Sequence, residues 1–108
     1  MFRLFKRSKI LTFKDLIFQE DGISKAARRT LISSYLTDKQ KENLLAILNQ
    51  YSARIEFDNG YFISVKLGTM FHSNGVDTYE VYSNLDRTSL DYLTSEEITE
   101  YMIKIQNQ

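Results

Sequence analysis

His72 is the only histidine in this 108-residue chain, so no two-histidine metal motif can be assembled from it. A lone imidazole can serve as an acid or a base near neutral pH. Here, however, it stands beside Ser73 and Asn74 in a polar stretch and reads as a solvated loop residue. Two sets of carboxylates have spacings close enough to pair: Asp77 with Glu80, and Asp86 with Asp91. Acid–base work by two carboxylates needs surroundings that push their pKa values apart, and no apolar pocket that would do so is predictable around either set. With no cysteine, a thiol nucleophile, a thiolate metal site and a disulfide framework are all excluded. Four glycines build no nucleophile elbow, phosphate-cradling loop or dinucleotide fingerprint. The sequence therefore assigns no catalytic, cofactor-binding or metal residue, and the expectation is a protein that is not an enzyme.

Binding chemistry is better represented. Arg3, Lys6, Arg7 and Lys9 interleave with Phe2, Leu4, Phe5 and Ile10. Three readings fit this arm: a phosphate-contacting segment with aromatics for stacking, an amphipathic segment lying on an acidic membrane, or a segment that docks its apolar residues on the core while its cations face water. Lys25, Arg28 and Arg29 would extend the basic surface, the first two being three apart on a helix. Yet the formal net charge is zero and the pI is about 6.6, unlike a strongly basic nucleic-acid-binding domain. Cations crowd residues 1–29, whereas residues 77–101 carry seven acids and only Arg87. This polarity either steers a partner or is satisfied within the fold. Seven Tyr and seven Phe with no Trp add a large aromatic load. Tyr79, Tyr82 and Tyr92 lie among Glu80, Asp86, Asp91, Glu96 and Glu100, an acidic-aromatic set of the kind that suits protein recognition and can mimic nucleic acid towards a nucleic-acid-binding target. Four cations interrupt the opening residues, and no apolar run reaches the span of a membrane helix. The expectation is a soluble cytoplasmic protein with no membrane partner and no cofactor.

Periodicity supplies the elements that must hold these residues. Around Asn59-Gly60, a strong hairpin signal, Ala53, Ile55 and Phe57 alternate on one arm, and Tyr61, Ile63, Val65 and Leu67 on the other. Before it, Phe13–Glu20 reads as extended after one helical turn. Residues 24–35 read as a helix capped by Ser24, and a second helix opens with the capping box Thr37–Gln40 and carries the stripe Leu44, Leu45, Leu48 and Tyr51. After the hairpin, Thr78–Tyr82 alternates as a third strand, and Ser83–Asp91 is polar and irregular. Thr94 and Glu97 form a second capping box, with Leu93 and Ile98 placed as a hydrophobic staple. Ile98, Tyr101, Met102 and Ile105 then form the helix face that covers the sheet.

A chain of this length is one domain: an arm over 1–12, a helical pair over 24–52, a β-meander over 53–82 and a helix over 94–106. The predicted fold is α+β, a three- or four-stranded antiparallel sheet with two helices inserted before the hairpin and one after it. Phe62 and Tyr82 have the opposite parity, so they are exposed unless the inserted helices cover that second face. No proline guards the strand edges, which leaves Lys66 and Glu80 to do so. The open edge and the oppositely charged ends both permit a homodimer.

Phe57-Asp58-Asn59-Gly60-Tyr61 with Ser64-Val65, then Tyr79-Glu80-Val81, then Leu93-Thr94-Ser95-Glu96-Glu97 resembles a family of small uncharacterised bacteriophage proteins. Their shared pattern is a hairpin of aromatic-x-Asn-Gly-Tyr-x-x-Ser-Val, a Tyr/Phe-Glu strand and a closing Leu-Thr-x-Glu-Glu helix. Phe13-Lys14-Asp15-Leu16 is similar to the family's opening Phe-x-Asp-Leu. The resemblance implies a phage-encoded, non-enzymatic protein that binds and modulates or inhibits a host protein, in host takeover or against a defence system. The alternative is a nucleic-acid-binding accessory protein acting through Arg3, Lys6, Arg7, Lys9, Lys25, Arg28 and Arg29.

Overall fold

Reversal of the chain at Asn59-Gly60 organises everything downstream of it. A computed structural model describes residues 9–33 and 35–108, in which β2 (Tyr51–Glu56) and β3 (Phe62–Leu67) pair across this turn. Gly60 takes φ 89°, a value that glycine adopts without strain. The Asn59 amide donates to the Ile105 carbonyl at 2.9 Å, which ties the turn to the C-terminal helix. The register sets Ala53 opposite Val65 and Ile55 opposite Ile63, so one sheet face is apolar. That face gains Tyr79 and Val81 from β4 (Tyr79–Ser83).

Helix α3 (Ser95–Gln106) lies on that face and buries Ile98, Tyr101, Met102 and Ile105. Its start matches the expected capping box. Thr94 Oγ1 accepts the Glu97 N–H at 3.3 Å, and Glu97 Oε1 accepts the Thr94 N–H at 2.9 Å. Residues 11–13 dock on the same helix. Leu11 exchanges two 2.8 Å hydrogen bonds with the Gln106 amide, and the Phe13 N–H donates to Thr99 Oγ1. Leu11 at the end of the arm thus packs on the core, while Lys9 and Ile10 stay exposed. Arg3, Lys6 and Arg7 lie outside the described residues.

The fold class is α+β as expected, but the sheet has five antiparallel strands in sequence order. A short strand flanks the expected three-stranded meander at each edge. β1 (Gln19–Glu20) pairs with the start of β2, and β5 (Ser89–Leu93) pairs with β4. The irregular stretch expected over Ser83–Asp91 is therefore half strand. Period two hides β5 because Tyr79 pairs with Leu93 while Val81 pairs with Leu90, an extra residue on the β5 side. Such a bulge lets two leucines three apart both face the core, and Tyr92 within it takes φ 57°. Lys66 and Glu80 sit opposite each other on the central strands β3 and β4, so they do not guard an edge.

The helical pair also departs from expectation. Helix α1 (Gly22–Ser33) begins two residues early. Asp21 caps it by accepting the Ile23 N–H, while Ser24, buried in the first turn, donates to Glu20 Oε2 at 2.6 Å. Helix α2 (Asp38–Leu45) carries the expected Thr37–Gln40 capping box but stops at Leu45. Asn49, at φ 65°, turns the chain so that Tyr51 opens β2 instead of extending the helical stripe. The pair leaves the second sheet face uncovered, with Ile32 80% exposed and Tyr82 36%. The radius of gyration, 17.1 Å, exceeds the roughly 13 Å of a compact domain this long. Among the described residues, no helix is long and apolar enough to cross a membrane.

Gln50 joins the helical pair to the β3–β4 loop. It is buried, its amide donates to the Leu48 carbonyl, and its Oε1 accepts the Met70 N–H. Gly68, at φ 149°, packs directly on it, and a methyl there would collide with the Gln50 side chain. Gly68→Ala is expected to lower the unfolding free energy by about 2–3 kcal/mol. Gly22→Ala, which meets open space, should change it by less than about 1 kcal/mol. Urea denaturation of both variants checks the contrast, and equal effects would contradict it.

Candidate functional site

The uncovered sheet face alternates with the buried one, so its residues are those of opposite parity. At the turn end, the Arg54 guanidinium lies 3.8 Å from the Phe62 ring centroid and pairs with Glu56 at 3.2 Å. The rings of Phe62 and Tyr82 are 5.9 Å apart, within the range for favourable aromatic contact. Further along, Lys66 sits opposite Glu80, but its ammonium leans to Asp21 Oδ2 at 3.4 Å and over the Phe71 ring. Burial pushes the Asp21 carboxyl upward. The Ile23 N–H, the Ser52 hydroxyl and Lys66 outweigh that and hold it below its ordinary value. Glu20, bonded by Arg28 and Ser24, is likewise held low.

The other end of the face is built by the loop over 68–78. Ser73 Oγ donates to the Thr78 carbonyl at 2.6 Å and accepts the N–H groups of Gly68 and Gly75. Asn74 Oδ1 accepts three successive N–H groups, those of Val76, Asp77 and Thr78. This internal bonding delivers His72 to the sheet. Its N–H donates to Glu80 Oε1 at 2.9 Å, and its carbonyl accepts the Tyr92 N–H at 3.0 Å. Its Nδ1 stands 3.1 Å from Asp91 Oδ1 and 3.5 Å from Glu80 Oε1. The imidazole is 62% exposed, yet it is engaged by two carboxylates and stands beside the Tyr92 ring. The loop histidine is solvated as expected, but it does not stand alone, with two carboxylates and the Tyr92 ring beside it. Sequence reasoning paired Asp91 with Asp86 and Glu80 with Asp77. The observed grouping depends on the β5 bulge, which turns Asp91 and Tyr92 towards Glu80.

Of the eight residues expected to form an acidic-aromatic surface, Glu80, Tyr82, Asp91 and Tyr92 share the uncovered face. Tyr79 does not, because its ring is buried against Phe13 and Phe18 on the core side. Asp86 lies in the β4–β5 turn and accepts the Tyr101 hydroxyl at 2.7 Å. Burial first, and that bond second, push the Tyr101 phenol well above its ordinary value. Glu96 and Glu100 are exposed on α3 and flank a shallow groove with Phe13 and Lys14 on the helix side of the sheet. The described members of the candidate basic set fall into two groups. Lys9 lies beside Phe57 and Asn107 at the turn end. Lys25, Arg28 and Arg29 lie on α1, beyond the opposite end of β2, and there Arg28 is paired with Glu20 at 2.9 Å.

No known family model matches this chain, and neither does any curated protein or solved structure.

The lowered Asp21 carboxyl makes a signed prediction. A carboxylate whose pKa is depressed by folding stabilises the native state above its ordinary titration range and loses that contribution as pH falls through the folded value. Asp21→Asn keeps a helix cap but removes the charge. It should cost about 1 kcal/mol at neutral pH, and the difference from the parent should shrink as pH falls through the lowered folded value of the Asp21 carboxyl. Chemical denaturation across that range measures it, and a difference independent of pH would refute the assignment.

Proposed function

We propose that this chain is a small phage-encoded, non-enzymatic protein that binds a host protein in the host cytoplasm and modulates or inhibits it. The partner docks on the uncovered sheet face around Glu80, Tyr82, Asp91 and Tyr92. The observation that carries the reading is the joint exposure of Tyr82 and Tyr92, the latter 55% exposed, on a sheet face that no helix covers. Tyrosine contributes a large, rigid contact area at low entropic cost, and charges at its margin set orientation. The contact region is narrower than the composition suggested, since Asp86, Glu96 and Glu100 face the other way. The phage setting rests on the hairpin-and-helix resemblance. The nucleic-acid alternative draws less support, because the described cations of its candidate set, Lys9 and the group Lys25, Arg28 and Arg29, are split between two ends of the fold.

Affinity capture from a bacterial lysate, with the tagged protein and with Tyr82→Ala and Tyr92→Ala as parallel baits, tests this reading. A partner retained by the parent should be lost by each variant, at a cost of about 2 kcal/mol or roughly thirtyfold in affinity. Undiminished capture by both variants counts against the reading. So does micromolar binding of labelled DNA or RNA with a steep salt dependence.

A further inference from the structure

His72, Glu80 and Asp91 aim donor atoms at one another from three separate segments: the loop over 68–78, β4 and β5. These atoms all lie within 4.8 Å of one another, with His72 Nδ1 at 3.1 Å from Asp91 Oδ1 and at 3.5 Å from Glu80 Oε1. Two donors bound to one tetrahedral zinc at about 2.0–2.1 Å stand about 3.3 Å apart, so the two separations bracket the edge of that polyhedron. We propose that His72, Glu80 and Asp91 bind a divalent transition-metal cation, zinc by preference, with the fourth position left to water or to a donor from another molecule.

Charge points the same way. A single imidazole carries at most one positive charge against two carboxylates. Among the described residues, no lysine or arginine lies within ion-pairing distance of Glu80 or Asp91, and Lys66, the cross-strand neighbour of Glu80, turns to Asp21. A doubly charged cation neutralises the trio. One nitrogen and two oxygens suit zinc, whereas calcium and magnesium require larger sets of oxygen donors. The ligands are also positioned in advance. Glu80 holds the His72 N–H, the Tyr92 N–H holds the His72 carbonyl, and Ser73 and Asn74 brace the loop on either side. These bonds, made by the His72 backbone and the loop around it, hold the three segments together before any metal arrives, which lowers the cost of assembling the site. The inference stands apart from the partner-binding reading and holds whether or not a protein docks on this face.

The test uses untagged protein stripped with a chelator and titrated with zinc against a chromophoric competitor, while proton NMR follows the imidazole. Because the chain has one histidine, its ring signal reports on this site alone. Expected are one zinc per chain, a shifted His72 resonance, and at least about tenfold weaker binding in His72→Gln and in Asp91→Asn. Glu96→Gln, on the far side of the sheet, should bind within about twofold of the parent. Excess magnesium or calcium should leave zinc bound. Absence of saturable uptake overturns the proposal, as does an imidazole signal that stays put while zinc binds. Equal weakening by Glu96→Gln and His72→Gln also overturns it. If a variant unfolds, the parent's imidazole signal decides the matter by itself.

Discussion

Burial of one helix stripe against one sheet face is the constraint on which the rest of this structure depends. Ile98, Met102 and Ile105 are fully buried, as are Ile63, Val65 and Val81 across from them. Each such side chain contributes roughly 1.5–3 kcal/mol when removed from water, so a handful of them outweighs any polar contact on the surface. The stripe requires the β2–β3 register, because a one-residue slip would turn Ile63 and Val65 to solvent. The Asn59 bond to the Ile105 carbonyl joins the turn that fixes this register to the helix that exploits it. With one face committed to the core, the opposite face carries the polar and aromatic residues by parity alone.

The parts legible in the sequence were those in which local rules and tertiary packing agree. The Asn59-Gly60 reversal, the two Thr capping boxes and the buried stripe of α3 each rest on residues no more than three positions from the next, and all appear as expected. Legibility failed where the answer depended on distant residues. Ser24 resembles a cap, but Glu20 captures its hydroxyl and Asp21 caps the helix in its place. Tyr51 continues an apolar helical spacing, yet Asn49 in a left-handed conformation ends that periodicity before it. Strand β5 escaped because a bulge breaks the alternation by which strands are recognised.

That same bulge explains why the candidate site was only half legible. Tyr82 and Glu80 follow from the parity of β4. The closeness of His72 to Asp91 does not follow from any spacing, because one comes from a loop folded on its own Ser73 and Asn74 bonds and the other from an irregular strand. The side chain is solvated as the sequence implied, yet it has carboxylates 8 and 19 positions away within reach. The polar residues of the loop were the available signal. Asn74 and Ser73 between two strands mark a loop stiff enough to present a neighbour in a fixed direction.

The brevity of β1 has its own consequence. Only Tyr51 and Ser52 of β2 receive partners from it, so among the described residues no strand lies beside β2 on its outer side from Ala53 onward. Strand addition at such an edge is a common way for a sheet to recruit another chain. Arg54, stacked over Phe62 and paired with Glu56, lines that strand with charge, which disfavours indiscriminate pairing while leaving room for a sequence that complements both charges.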